Sequence, residues 1–111
     1  MEVYISQDGS VSVVELIGEI DGQTAGIAQD QILPLATPGV QVLLDMTQLV
    51  YMSSAGLRMM LLLHRKFTEQ GGKIVLVGVN QEIYDAMSAT GFLSFFAVSD
   101  SYEAGLDALQ N

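Results

Sequence analysis

Two nearly uninterrupted apolar runs, Val40-Gln41-Val42-Leu43-Leu44-Asp45 and Lys73 to Val79, constrain the fold more than any other feature. A strand with one face in water alternates apolar and polar residues, so runs of this kind belong to strands covered on both faces. Between them, Ser54 to Gln70 has helical spacing. Leu57, Leu61, His64 and Thr68 follow one face, Met60, Leu63 and Phe67 widen the apolar stripe, and Gly71-Gly72 supplies the stop. Glu2 to Ser6 alternates, Asp8-Gly9-Ser10 punctuates and Val11 to Ile17 resumes, which predicts a hairpin. Gly18-Glu19-Ile20-Asp21-Gly22 breaks that pattern.

Helical spacing over Gln23 to Leu35 ends at Pro38-Gly39. Asn80 predicts an N-cap for a helix to Ala89, which Gly91 ends. Ser94 to Val98 reads as a last strand, and Asp100 with Glu103 as a capping-box start for a terminal helix. The expected order is β-β-α-β-α-β-α-β-α: an α/β (mixed α+β) domain over residues 1–111, with a mixed sheet and covering helices.

Half of the 111 residues are apolar and 15% are charged, which argues against disorder. The opening Met1-Glu2-Val3-Tyr4 lacks the basic-then-apolar character of a secretory signal. The run Met59 to Leu63 stops at His64-Arg65-Lys66, too short to cross a bilayer. The expectation is a soluble, cytoplasmic protein without a membrane role. A net charge of −9 offers no positive field to replace counterions, so nucleic acid is not an expected partner. All four basic residues (Arg58, Arg65, Lys66, Lys73) lie between positions 58 and 73, whereas residues 1 to 57 carry seven acids and no base. Acidity of this kind keeps a protein soluble, and it also suits a positively charged protein partner.

Chemistry has few places to sit. There is no GxGxxG after a strand and no GxxxxGK[ST]; Gly71-Gly72-Lys73 follows a helix and opens a strand, the wrong context for a phosphate loop. One histidine, His64, and no cysteine leave little for a nucleophile system or a zinc site. His64 lies among Leu61, Leu63 and Phe67 and reads as a packing residue. Asp21 and Asp45, near strand ends, are turn-capping carboxylates more often than acids, bases or ligands. The expectation is no enzyme, no metal and no cofactor.

The informative segment runs from Asp45 to Arg58: a strand ending at Asp45, an irregular stretch, then a helix opening near Ser54. On local sequence alone, Ser53 or Ser54 caps that helix. The segment resembles the signature of the STAS domain family, typified by bacterial anti-sigma-factor antagonists: a strand, then an apolar-Asp-Ser-Ser/Thr-Gly-Leu-Gly turn into a helix. Gly18-Glu19-Ile20-Asp21, Gly71-Gly72-Lys73 and Met87 to Phe92 resemble other family segments, so the likeness covers nearly the whole chain.

The resemblance implies a non-catalytic, phosphorylation-controlled binding switch. In the family, the serine opening the helix is phosphorylated by a partner that is both anti-sigma factor and serine kinase, and that brings its own ATP site. A protein phosphatase resets the switch. Aligning Gly56-Leu57 places Ser54 at the modified position. Ser53 is the alternative, because Ser53 stands where many members have Asp, Ala55 replaces Ser or Thr, and Arg58 replaces Gly. Asp21 matches a partner-surface aspartate, and Tyr51, Met52, Ser53, Ala55, Gly56 and Arg58 complete the expected binding patch. Arg58, one turn from Ser54, is placed to pair with a phosphate there or simply to be a solvated surface cation. The resemblance also admits a constitutive subunit of another assembly, such as a signalling complex or a lipid-transport ATPase.

Overall fold

The computed structural model describes residues 1–110. Its strands are β1 (Glu2–Asp8), β2 (Val11–Ile20), β3 (Gln41–Met52), β4 (Lys73–Val77) and β5 (Ala97–Ser99). The helices are α1 (Ala25–Ile32), α2 (Ser54–Glu69), α3 (Gln81–Ala89) and α4 (Tyr102–Gln110). The strands form one sheet in chain order, β1 antiparallel to β2 and every later neighbour parallel. This is the expected mixed sheet in the expected element order.

The non-alternating runs are explained by cover on both faces. Val14, Leu44 and Leu76 point to one side, into a core with Ala28 and Ile32 of α1, Met60, Leu63 and Phe67 of α2, and Ile83 and Met87 of α3. Val13, Leu43, Val75 and Val77 point to the other side, where Leu109 of α4 closes a smaller core. On α2 the buried stripe is Leu57, Met60, Leu63 and Phe67, while Leu61 and His64 are half-buried and Thr68 is exposed. The stripe is therefore rotated slightly from the expected one.

Several local expectations are corrected. The stretch after Asp45 is not irregular: β3 continues to Met52, and β2 continues through Gly18 to Ile20. Glu15 pairs with Asp45 and Glu19 with Tyr51, so four steps on β2 match six on β3. The two surplus residues are absorbed as bulges, which destroy the period-two pattern while keeping the strands paired. Ser94 is not in a strand. Gly91 turns the chain at φ +79°, Ser94 Oγ donates to the Gly91 carbonyl (2.9 Å), and a 3₁₀ turn over Phe92–Phe95 precedes a short β5. The first helix is cut to Ala25–Ile32, with Leu33–Leu35 a 3₁₀ turn whose second residue is Pro34. The N-cap of α4 is Ser101, whose Oγ accepts the Ala104 amide (3.1 Å), rather than Asp100. Asn80 caps α3 as expected, its side-chain oxygen accepting the Ile83 amide at 2.8 Å.

Candidate functional site

Parallel pairing decides which loops meet. Because Ile20 lies opposite Met52, the chain leaves β2 at Asp21 and β3 at Ser53 side by side, at the carboxyl end of the sheet. The Ser53 amide donates to the Ile20 carbonyl (2.8 Å), locking the two exits together.

Ser53 is the N-cap of α2. It has extended backbone angles (φ −79°, ψ 176°), its Oγ accepts the Gly56 amide at 3.4 Å, and its carbonyl accepts the Leu57 amide at 3.0 Å. Ser54 is the first helical residue, exposed, and among the described residues its hydroxyl has no hydrogen-bond partner. The first-turn amides of a helix lack carbonyl partners, and the helix dipole makes that end positive. An anion attached at Ser54 therefore meets a favourable field.

Close packing holds this end in place. A Cβ at Gly56 would stand 2.5 Å from Met52 Cγ and 3.0 Å from Ile20 Cγ2. Gly56 and Met52 are buried, Ser53 and Ala55 are half-buried, and Tyr51, Ser54 and Arg58 are exposed. Arg58 lies one turn beyond Ser54 and forms no ion pair among the described residues, where the pair found is Lys66 with Glu69 at 3.8 Å.

Asp21 is held from three directions. Its Oδ1 accepts the amides of Gln23 (2.9 Å) and Thr24 (3.1 Å) and the Thr24 hydroxyl (3.2 Å), while its own amide donates to Thr24 Oγ1 (2.9 Å). The Gln23 amide, then that of Thr24, holds the carboxyl below its ordinary range, so it is a fixed anion at the entry to α1. Asp45 lies away from this constellation, with Oδ1 accepting the amide (3.0 Å) and hydroxyl (2.6 Å) of Thr47. His64 packs against the rings of Phe95 and Phe96, with centroids 5.9 and 5.3 Å away.

The structure thus brings Asp21, Tyr51, Met52, Ser53, Ser54, Ala55, Gly56 and Arg58 to one end of the sheet. Sequence reasoning missed Thr24, which orients Asp21, and the second contact of Asn80, whose Nδ2 reaches the Leu49 carbonyl of β3 (3.2 Å). The spacing Asp21-x-x-Thr24 is a readable turn signal; the Asn80 contact has no local one. No helix among the described residues is long and apolar enough to cross a membrane.

The profile of the family described as the STAS domain matches residues 2–105. BtrV of Bordetella bronchiseptica, provisionally named an anti-sigma factor antagonist, is 37% identical over 70 residues, a match spanning 63% of this chain and 60% of BtrV. The anti-sigma-B factor antagonist of Bacillus subtilis strain 168 is 24% identical over 106 residues, 96% of this chain and 97% of its own. In fold, the crystal structure of an anti-sigma factor antagonist from Mycobacterium paratuberculosis superposes with a TM-score of 0.89 at 21% identity, covering 99% of this chain and 94% of that one.

Proposed function

The chain belongs to the STAS domain family, and from that premise we propose that residues 1–111 act as a single-domain anti-sigma-factor antagonist whose binding is set by phosphorylation of Ser54. The observation that carries this reading is the division of labour between neighbours: Ser53 uses its hydroxyl to cap α2, while the Ser54 hydroxyl is exposed and unengaged. A kinase reaches Ser54 without opening the helix.

The unmodified protein docks through Tyr51 to Gly56, Asp21 and Arg58 on an anti-sigma factor that is also a serine kinase, releasing a sigma factor in the cytoplasm. The partner supplies the ATP, so this chain needs no cofactor and catalyses nothing. Phosphorylation adds about −1.5 to −2 charges. Within the free protein the helix end favours that charge by about 0.3–1 kcal/mol, so the fold persists. In the complex, burying it without a matching cation costs several kcal/mol, enough to change affinity by orders of magnitude. A phosphatase restores the binding form.

The test is binding of Ser54→Ala, Ser54→Asp and Ser53→Ala proteins to an ATP-loaded anti-sigma kinase, with phosphopeptide mapping of the wild type after the reaction. No Lys or Arg precedes Arg58, so a protease other than trypsin must separate the two serines. Phosphate on Ser54 and loss of binding in Ser54→Asp alone are expected. Equal binding by Ser54→Asp and Ser54→Ala would sink the switch and favour a constitutive STAS subunit of another assembly.

A further inference from the structure

β4 pairs with β3 only from Gln41 to Asp45, although β3 runs on to Met52. Past that point, the edge of β3 facing α3 receives Asn80 Nδ2 at the Leu49 carbonyl and, among the described residues, no backbone partner. A hollow of about 130 Å³ opens beside this edge, lined by Tyr51, Met52, Glu82, Ile83 and Ala86. Its β3 side is formed by Tyr51, 44% exposed, and buried Met52. Among the described residues, the one charged residue that lines it is Glu82, which is exposed. No basic residue lines it.

The geometry points to this hollow as the seat of an extended segment of the partner protein, carrying one branched aliphatic side chain beside a lysine or arginine. Four features converge on that occupant. The volume falls below the roughly 300–1,000 Å³ of small-molecule sites, which suits a side chain rather than a cofactor. Beyond Asp45 no strand among the described residues pairs with this edge of β3, so its main-chain groups other than the Leu49 carbonyl, which Asn80 holds, are left for another extended chain. Apolar Met52, Ile83 and Ala86 beside exposed Tyr51 and Glu82 have the composition of a protein interface. The only charge in its lining among the described residues is that of Glu82, so it favours a cation over an acidic segment. The inference rests on the reading that this end of the sheet binds a protein, and adds which chemistry it binds.

The experiment is a titration of ¹⁵N-labelled protein with two synthetic peptides, Arg-Val-Leu-Val-Arg and Glu-Val-Leu-Val-Glu, followed by amide shifts. The arginine peptide is expected to move the amides of Val50, Tyr51, Met52, Ile83 and Ala86 saturably, and the glutamate peptide is not. Glu82→Lys should weaken the arginine peptide several-fold and admit the glutamate peptide; Ala86→Arg, which fills the hollow, should abolish both. Circular dichroism establishes that both variants fold. Shifts centred on the β1 edge, no saturable shift at all, or indifference to Glu82→Lys in a folded variant would each overturn the proposal. So would self-association that occupies the hollow without peptide and disappears in Ala86→Arg, since the occupant would then be a second copy. The titration involves neither phosphate nor kinase, so its failure leaves the Ser54 switch standing, and a failed switch leaves its result intact.

Discussion

At Ser53 the hydroxyl accepts the Gly56 amide and the carbonyl accepts the Leu57 amide, whereas Ser54 begins the helix with its hydroxyl in solvent. The two serines should therefore separate in a stability measurement. Ser53→Ala should cost about 0.5–1 kcal/mol, the lower part of the N-cap range because the bond is long at 3.4 Å. Ser54→Ala should stay within about 0.5 kcal/mol of wild type, as an exposed first-turn substitution. Urea midpoints measure both, and an equal loss in the two variants would mean that both hydroxyls serve the helix end. The sequence shows that one of two adjacent serines caps α2 but does not say which. Cap assignment depends on where β3 stops, and that is set by pairing with Ile20 some thirty residues upstream rather than by anything beside Ser53. Asp21 was legible as a turn carboxylate, while its clamping by Gln23 and Thr24 became visible only once the backbone placed their amides.

Among the elements, β3 departs most from what periodicity suggests, and its departure positions α2. Val42 to Leu44 reads as a buried strand because both faces are covered, and it is one. Thr47, Gln48, Val50 and Tyr51 are exposed around buried Met46, Leu49 and Met52, a spacing of three that matches neither strand nor helix templates. The bulges opposite β2 produce it. They also carry β3 far enough that Met52 and Ile20 form the floor beneath the first turn of α2, where Gly56 makes the close approach. Two effects oppose each other in Gly56→Ala. Alanine improves an exposed helix interior by up to about 1 kcal/mol. Here the added methyl sits 2.5 Å from Met52 Cγ and 3.0 Å from Ile20 Cγ2, neither at the far end of a free side chain, and overpacking costs about 1–3 kcal/mol. The clash should win, with a net loss of about 1–2 kcal/mol by urea denaturation. Because α2 must lift to accommodate the methyl, the proposed binding to an anti-sigma factor should weaken even at temperatures where the variant is folded. A variant as stable as wild type would mean that the helix end is looser than this packing implies.

For the whole molecule, the cover of the sheet is lopsided: three helices lie on one face and α4 alone on the other. The element order and the existence of α4 were readable from caps and glycines, but its attachment was not, because the groups that fasten it are remote in sequence. Gln41 Nε2 donates to the Leu109 carbonyl, and the Tyr102 hydroxyl donates to Asp8 Oδ2 at 2.7 Å, joining the terminal helix to the first hairpin. The Asp8 carboxylate accepting that proton, with lesser contributions from burial and the charges of Asp8 and Asp45, pushes the Tyr102 phenol up to about 12 from an ordinary 10. A phenol whose pKa is raised on folding stabilises the fold while protonated. Its contribution is complete below pH 10, the unfolded value, and disappears as pH rises toward 12. Tyr102→Phe should therefore lose less than about 1 kcal/mol at neutral pH, since the pair is exposed. The gap between wild type and variant should then shrink steadily above pH 10. Urea midpoints of both proteins from neutral pH to about pH 11 measure it, and the subtraction removes the other tyrosines, including Tyr4 with its own raised value beside Glu2. A gap that stayed constant into the alkaline range would mean that the hydroxyl contributes packing alone, and that α4 is held by Leu109 and its neighbours without help from the hairpin.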